Sequence, residues 1–162
     1  MSMSVLPSSQ GNDLALGGDE GCFNLPDFRK NVDMIWFSEI LSMDESEKRE
    51  FSKSIVFAFF EQVWETLDKL DTALADKDFK KIASLSVFLK GSSATLGFVN
   101  INNRCEEIQQ YCWKENIGGT SWHDKEARLA HITVALEMLK TEHNELEEAL
   151  KMFFSISESN AA

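Results

Sequence analysis

In Val56-Phe57-Ala58-Phe59-Phe60-Glu61-Gln62-Val63-Trp64-Glu65-Thr66-Leu67-Asp68-Lys69-Leu70-Asp71-Thr72-Ala73-Leu74, the residues Val56, Phe60, Val63, Leu67, Leu70 and Leu74 recur at steps of four and three. That spacing lines one face of an α-helix, whereas a strand would alternate every second residue. The rhythm extends in both directions. Upstream, Val32, Ile35, Trp36, Ile40 and Leu41 predict a short helix over Asp27–Met43. It ends at Ser42-Met43-Asp44, where Asp44 or Ser46 offers an oxygen to cap the next helix. Downstream, Asp76–Asp78 interrupts the pattern, and a third helix is predicted over Phe79–Gly97, the glycine supplying the stop. A fourth is predicted over Asn100–Glu115 on the stripe Ile101, Cys105, Ile108 and Cys112. Asn116-Ile117-Gly118-Gly119 then reads as a turn. The last helix is predicted over Ser121–Phe154, carrying Leu129, Ile132, Leu136, Leu139, Leu146, Leu150 and Phe153, with His143 at a stripe position. Helices with single apolar stripes and short connections pack antiparallel. The expected fold is all-α: an antiparallel four-helix bundle over residues 26–156 that includes an additional short N-terminal helix. Residues 1–25, rich in Ser, Gly, Asn and Asp, are expected to be a flexible tail, as are 157–162.

The composition bounds the function. At 162 residues, 43% hydrophobic and with 2 Pro, the chain has material for one cored domain and is neither collagen-like nor of low complexity. Its 27 acidic residues against 16 basic ones leave a net charge of −11. Nucleic-acid binding runs on clustered Lys and Arg, so no nucleic-acid partner is expected. No apolar run reaches the roughly 18–20 residues that span a bilayer, so no membrane association is expected. Met1–Gly11 lacks the basic patch and apolar core of a secretory signal. Cys22, Cys105 and Cys112 are an odd set without metal-ligand spacing, which suits a reducing, cytoplasmic or nuclear compartment. Cys105 and Cys112 read as small core residues. His123, His131 and His143 read as partly buried or surface histidines, with no Cys or carboxylate set to complete a metal site. Neither a phosphate-cradling loop nor a catalytic triad is present, so no enzyme, metal or cofactor is expected.

The third helix carries a second pattern. At about 100° per residue, Ile82, Leu85, Leu89 and Leu96 share the core side. Val87 projects opposite them, flanked by Ala83, Lys90, Gly91 and Ala94. Long polar side chains are the usual occupants of such a face. Gly91 in mid-helix costs about 1 kcal/mol relative to Ala. Two arrangements would compensate: close approach of a partner to the bare backbone, or neighbouring helices covering this side and packing tightly against it.

The run Phe88-Leu89-Lys90-Gly91-Ser92-Ser93-Ala94-Thr95-Leu96-Gly97 resembles the signature helix of histidine-containing phosphotransfer proteins, and more closely the fungal phosphorelay intermediates of the Ypd-one type. Glu39–Asp44, Phe51-Ser52-Lys53, Phe60-Glu61-Gln62 and Cys105-Glu106-Glu107-Ile108-Gln109 support the likeness. It extends from Val32 to Glu115 and more loosely through the last helix. The resemblance implies a relay in which a receiver's aspartyl phosphate passes to an exposed histidine and on to a second receiver's aspartate. That histidine stands three residues before the lysine, where this sequence has Val87. Valine has no lone pair to attack phosphorus, and the nearby hydroxyls of Ser84, Ser86, Ser92 and Ser93 have no base in the pattern to activate them. The resemblance further implies that Lys90 sits beside a transferred phosphoryl group, that Gly91 admits the receiver, and that Gln109 bonds near the acceptor position. It maps a docking surface onto Trp36, Ile40, Met43, Gln62, Phe88 and Ser92. The expected function is a monomeric module that docks receiver domains of response regulators and hybrid histidine kinases without carrying phosphate. Alternative readings are an active phosphocarrier substituted at position 87, and a helical scaffold whose original partners are lost.

Overall fold

The computed structural model describes residues 30–113 and 122–160. The expected tail 1–25, Cys22 and the turn at Asn116–Gly119 lie outside them. Five helices follow in order: α1 (Met34–Ser42), α2 (Glu50–Ala75), α3 (Phe79–Leu96), α4 (Val99–Trp113) and α5 (Trp122–Asn160). Consecutive long helices joined by short turns must reverse direction. α3 packs on α2 and α4, and α5 packs on α4 and α2, which closes an antiparallel four-helix ring with α1 against α3.

α1 begins at Met34 rather than at Asp27, because the residues before it pair with the α3–α4 turn. Val32 forms an isolated antiparallel bridge with Phe98. The Asp33 N–H donates to the Gly97 carbonyl at 2.6 Å, and the Val99 N–H to that of Asn31 at 3.1 Å. The Asp33 carboxylate then caps α1, accepting from the Ile35 N–H at 3.0 Å. Phe37 is fully buried and anchors α1, its ring 6.1 Å from Phe98 and 6.3 Å from Phe153.

α2 starts at a left-handed residue, Arg49, whose side chain makes no cap bond. Asp44 serves the first turn from outside, accepting the Ser52 N–H at 2.8 Å and the Ser52 hydroxyl at 2.6 Å. Ser46 contributes only its carbonyl, to the Arg49 N–H. The predicted stripe is buried from Val56 to Leu70, with Leu74 packed at its edge. Asp78 caps α3 through the Lys81 N–H at 3.1 Å.

α3 ends at Gly97, φ 76°, where the Phe98 N–H reaches back to Ser93 and the Gly97 N–H to Ala94. A Cβ on Gly97 would stand 2.7 Å from the Asp33 carbonyl oxygen. The left-handed turn and the passing α1 entry strand both require glycine there. On α4 the stripe Ile101, Cys105, Ile108 and Cys112 is buried as patterned. Arg128 of α5 closes the far end of that helix, donating to the carbonyls of Tyr111 at 2.8 Å and Cys112 at 2.5 Å. α5 continues past Phe154 to Asn160, so 157–160, assigned above to a tail, are helical. The Ser157 hydroxyl bonds the Phe153 carbonyl there. Among the described residues, no helix is long and apolar enough to cross a membrane.

Candidate functional site

Ser84, Val87, Phe88, Gly91, Ala94 and Thr95 are all exposed, at the three-and-four spacing of one helical face. Val87 and Phe88 are each 48% exposed. Leu89, Ile82 and Leu96 point the other way and are buried, while Leu85 is half-buried. Ala83 departs from the wheel reading: at 1% exposure it belongs to the core, not to the flank of Val87. A Cβ built on Gly91 meets nothing within 4 Å. No neighbouring helix uses the space that glycine leaves, which removes tight internal packing as its explanation.

Four of the five hydroxyls of this helix are turned inward along its own backbone. Ser86 donates to Ile82 O at 2.8 Å, Ser92 to Phe88 O at 3.1 Å, Ser93 to Lys90 O at 3.0 Å and Thr95 to Ser92 O at 2.7 Å. Lys90 is half-exposed, with its ammonium 3.7 Å from Glu106 of α4. Its carbonyl accepts from the Asn102 side-chain amide at 2.9 Å. Gln109 is half-buried on the same helix. Asn102 was not singled out by the sequence reading, and Glu106 entered it only within a quoted run, without a role; on α4 that reading took the apolar stripe and Gln109. The signal was present: Asn102, Glu106 and Gln109 each follow a stripe residue by one, so they form a polar ridge beside it at the same period.

The residues mapped as a docking surface fall into two groups. Gln62, Ser92 and Thr95 line a shallow groove between α2 and α3 together with Ile55, Ala58 and Phe59. Trp36, 54% exposed, lines another over Ala94, Gly97 and Asn102. Phe88 stands on the ridge of α3. Met43, 60% exposed, lies instead at the α1–α2 connection beside Phe51, and Ile40 is half-buried against the core.

Among the described residues, the buried nucleophiles outside α3 are disarmed. The three histidines all belong to α5 and none to α3. His143 is a correction to the sequence reading: it is fully buried between Phe60 and Trp64, ring centroids 5.5 and 5.2 Å away. Neither ring nitrogen has a hydrogen-bond partner, and the nearest carboxylate oxygen, of Glu147, is 3.5 Å off. Burial pushes its pKa down to about 4, with Glu147 opposing the shift and Lys151 reinforcing it. His131 is exposed and stacks on Tyr111 at 4.8 Å; the His123 side chain lies outside the described residues. Burial raises the Cys105 thiol to about 12 and the Cys112 thiol to about 11, so both stay protonated at neutral pH. Among the described residues, no three His, Cys, Asp or Glu side chains gather as a metal site would need.

A model of the Hpt domain matches residues 54–151, more than half of the chain. The chain belongs to the Hpt domain family. It is 46% identical over 93 residues to the phosphorelay intermediate protein YPD1 of Candida albicans, covering 57% of this chain and 50% of that protein. It is 41% identical over 108 residues to multistep phosphorelay regulator 1 of Schizosaccharomyces pombe, covering 67% of this chain and 35% of that one. The matched stretch thus spans half the length or less of these curated relatives. Among solved structures, the Saccharomyces cerevisiae histidine phosphotransfer protein Ypd1, in complex with the receiver domain of its response regulator Ssk1, superposes with a TM-score of 0.69. The identity is 25%, over 81% of this chain and 97% of that one. The Hpt match begins inside α2, so α1, which carries Trp36 and Ile40, lies outside it.

Proposed function

We propose that this Hpt domain docks receiver domains of response regulators and hybrid histidine kinases through the outer face of α3, and that it does so without accepting phosphate. One observation carries the reading: the exposed centre of α3, three residues before Lys90, is the hydrocarbon of Val87. Nucleophilic catalysis needs a lone pair poised by a base, and of the hydroxyls around Val87 those of Ser86, Ser92, Ser93 and Thr95 are committed to backbone carbonyls of their own helix, leaving only Ser84. The open space at Gly91 supports docking, since nothing inside the molecule needs it. A mostly apolar ridge with polar edges suits a transient interface between preformed surfaces. On this reading the chain is a monomer of the cytoplasm or nucleus that holds a receiver away from an active carrier.

The test is transfer. The chain is mixed with a receiver domain carrying labelled aspartyl phosphate, and acid-labile label on the chain is measured. None is expected, together with slowed transfer from that receiver to an active Hpt protein. Label appearing on the unmodified chain overturns the silent reading. Val87→His asks separately whether the surrounding site still supports transfer.

A further inference from the structure

We propose that the α3 face discriminates between the two chemical states of a receiver, binding the unphosphorylated form and rejecting the aspartyl phosphate; this rests on the docking reading above. A phosphorylated aspartate is longer by a phosphoryl group, and because the carboxylate charge is lost in forming the acyl phosphate, the doubly ionised phosphoryl group adds about one negative charge. Docking would press that group against the centre of α3 and strip its water. Buried charge is tolerated only where donors replace the lost water.

Most donors at this centre are already spent. Backbone N–H groups within α3 serve the helix, and the hydroxyls of Ser86, Ser92, Ser93 and Thr95 donate to carbonyls of the same helix. Val87 offers only methyl groups. Two cations share the outer half of α3: Lys80, exposed two turns before Val87 and about 10 Å from it along the axis, and Lys90, where Glu106 stands 3.7 Å from the ammonium and leaves the pair without net charge. Ser84, a turn before Val87, is the remaining hydroxyl. Across the whole chain the net charge of −11 adds a long-range repulsion that grows with each negative charge on the partner. The unphosphorylated aspartate is shorter and leaves Val87 and Phe88 to meet the receiver's surface as hydrocarbon, which favours association. Phosphorylation of the receiver would then release it. The chain would act as a reservoir for idle receivers rather than as a trap for activated ones.

The experiment is a calorimetric titration of the full chain with a panel of receiver domains, that of Ssk1 among them, with magnesium in both arms and beryllofluoride as phosphoryl mimic in one. Affinity is expected to fall about tenfold or more with the mimic. Val87→Gln, which supplies an amide donor, and Glu106→Gln, which frees Lys90, are each expected to narrow that ratio. Equal or tighter binding with the mimic, or a ratio untouched by both variants, overturns the inference while leaving docking intact. Absence of binding in both arms for every receiver overturns the docking reading itself, and the inference with it.

Discussion

The middle of α3 and its C-terminal end each hold a glycine, and the two are there for opposite reasons. At Gly97 the chain is left-handed, and an added Cβ would strike the Asp33 carbonyl at 2.7 Å. At Gly91 the chain is an ordinary helix, and an added Cβ would meet nothing. The fold therefore explains Gly97 completely and Gly91 not at all. A residue that costs helix stability and contributes no packing points outward, to something absent from the isolated chain. The same division runs through adjacent residues: Leu89 is fully buried, and Phe88 beside it is 48% exposed. The α2–α5 seam shows how this protein treats a face meant for water. There Lys140 bonds both oxygens of Asp71, Lys151 and the Trp64 indole hold Glu147, and Lys53 pairs with Glu158. The outer face of α3 from Val87 to Thr95 carries mostly hydrocarbon and turned-in hydroxyls instead.

This contrast predicts that substitutions at structural positions lower stability and leave docking unchanged per folded molecule, while those on the outer face weaken docking without lowering stability. The largest effect is expected at Leu89→Ala. Removing a fully buried leucine from a four-helix core costs about 2–5 kcal/mol, read as a lowered midpoint in urea with receiver affinity unchanged in the folded fraction. Gly97→Ala is expected to cost about 2 kcal/mol, from left-handed strain and displacement of the α1 entry. A Gly97→Ala variant as stable as the parent would break the assignment of that glycine to the fold.

Acid supplies an effect of similar size on the structural side. His143 titrates near 4 in the folded chain against about 6.5 unfolded. The unfolded chain thus binds the extra proton first, and stability falls as pH drops from 6.5 toward 4, by about 3 kcal/mol at most. The Glu147 carboxylate is held low, with burial opposed by bonds from Lys151 and Trp64, so it adds a loss in the same direction further into acid. Urea midpoints at pH 7 and pH 5 should differ in the parent. In His143→Leu the difference should shrink.

Most of the fold was legible because burial writes itself at period 3.6. The stripes of α2 and α4 and the stop at Gly97 follow from spacing and turn chemistry alone. What was not legible depended on contacts between distant segments. Val32 and Asp33 are extended because this segment bonds the α3–α4 turn, and nothing local in Asn31-Val32-Asp33 says so. Asp44 reaches Ser52 across an intervening loop. His143 looked like a break in a stripe, and the aromatic walls that seal it, Phe60 and Trp64, come from another helix. At the site, the exposure of Val87 followed from the wheel. The pairing of Lys90 with Glu106 needed the packing of α4 on α3, and the even choice over Gly91 needed the empty space beside it.

Gly91→Ala sharpens the comparison most, though its effect on stability is the smallest. The helix gains intrinsic propensity worth about 1 kcal/mol and the new methyl meets nothing, so unfolding free energy should rise by that amount and the urea midpoint with it. The chain carries glycine there at that cost, and the docking reading supplies the reason. A methyl on the ridge between Val87 and Ser92 would stand the receiver's backbone away from α3. Affinity for unphosphorylated receivers is therefore expected to fall in a chain that has become more stable. A variant that gained stability and bound as tightly as the parent would show that no backbone approaches here, and the outer face of α3 would lose its claim to be an interface.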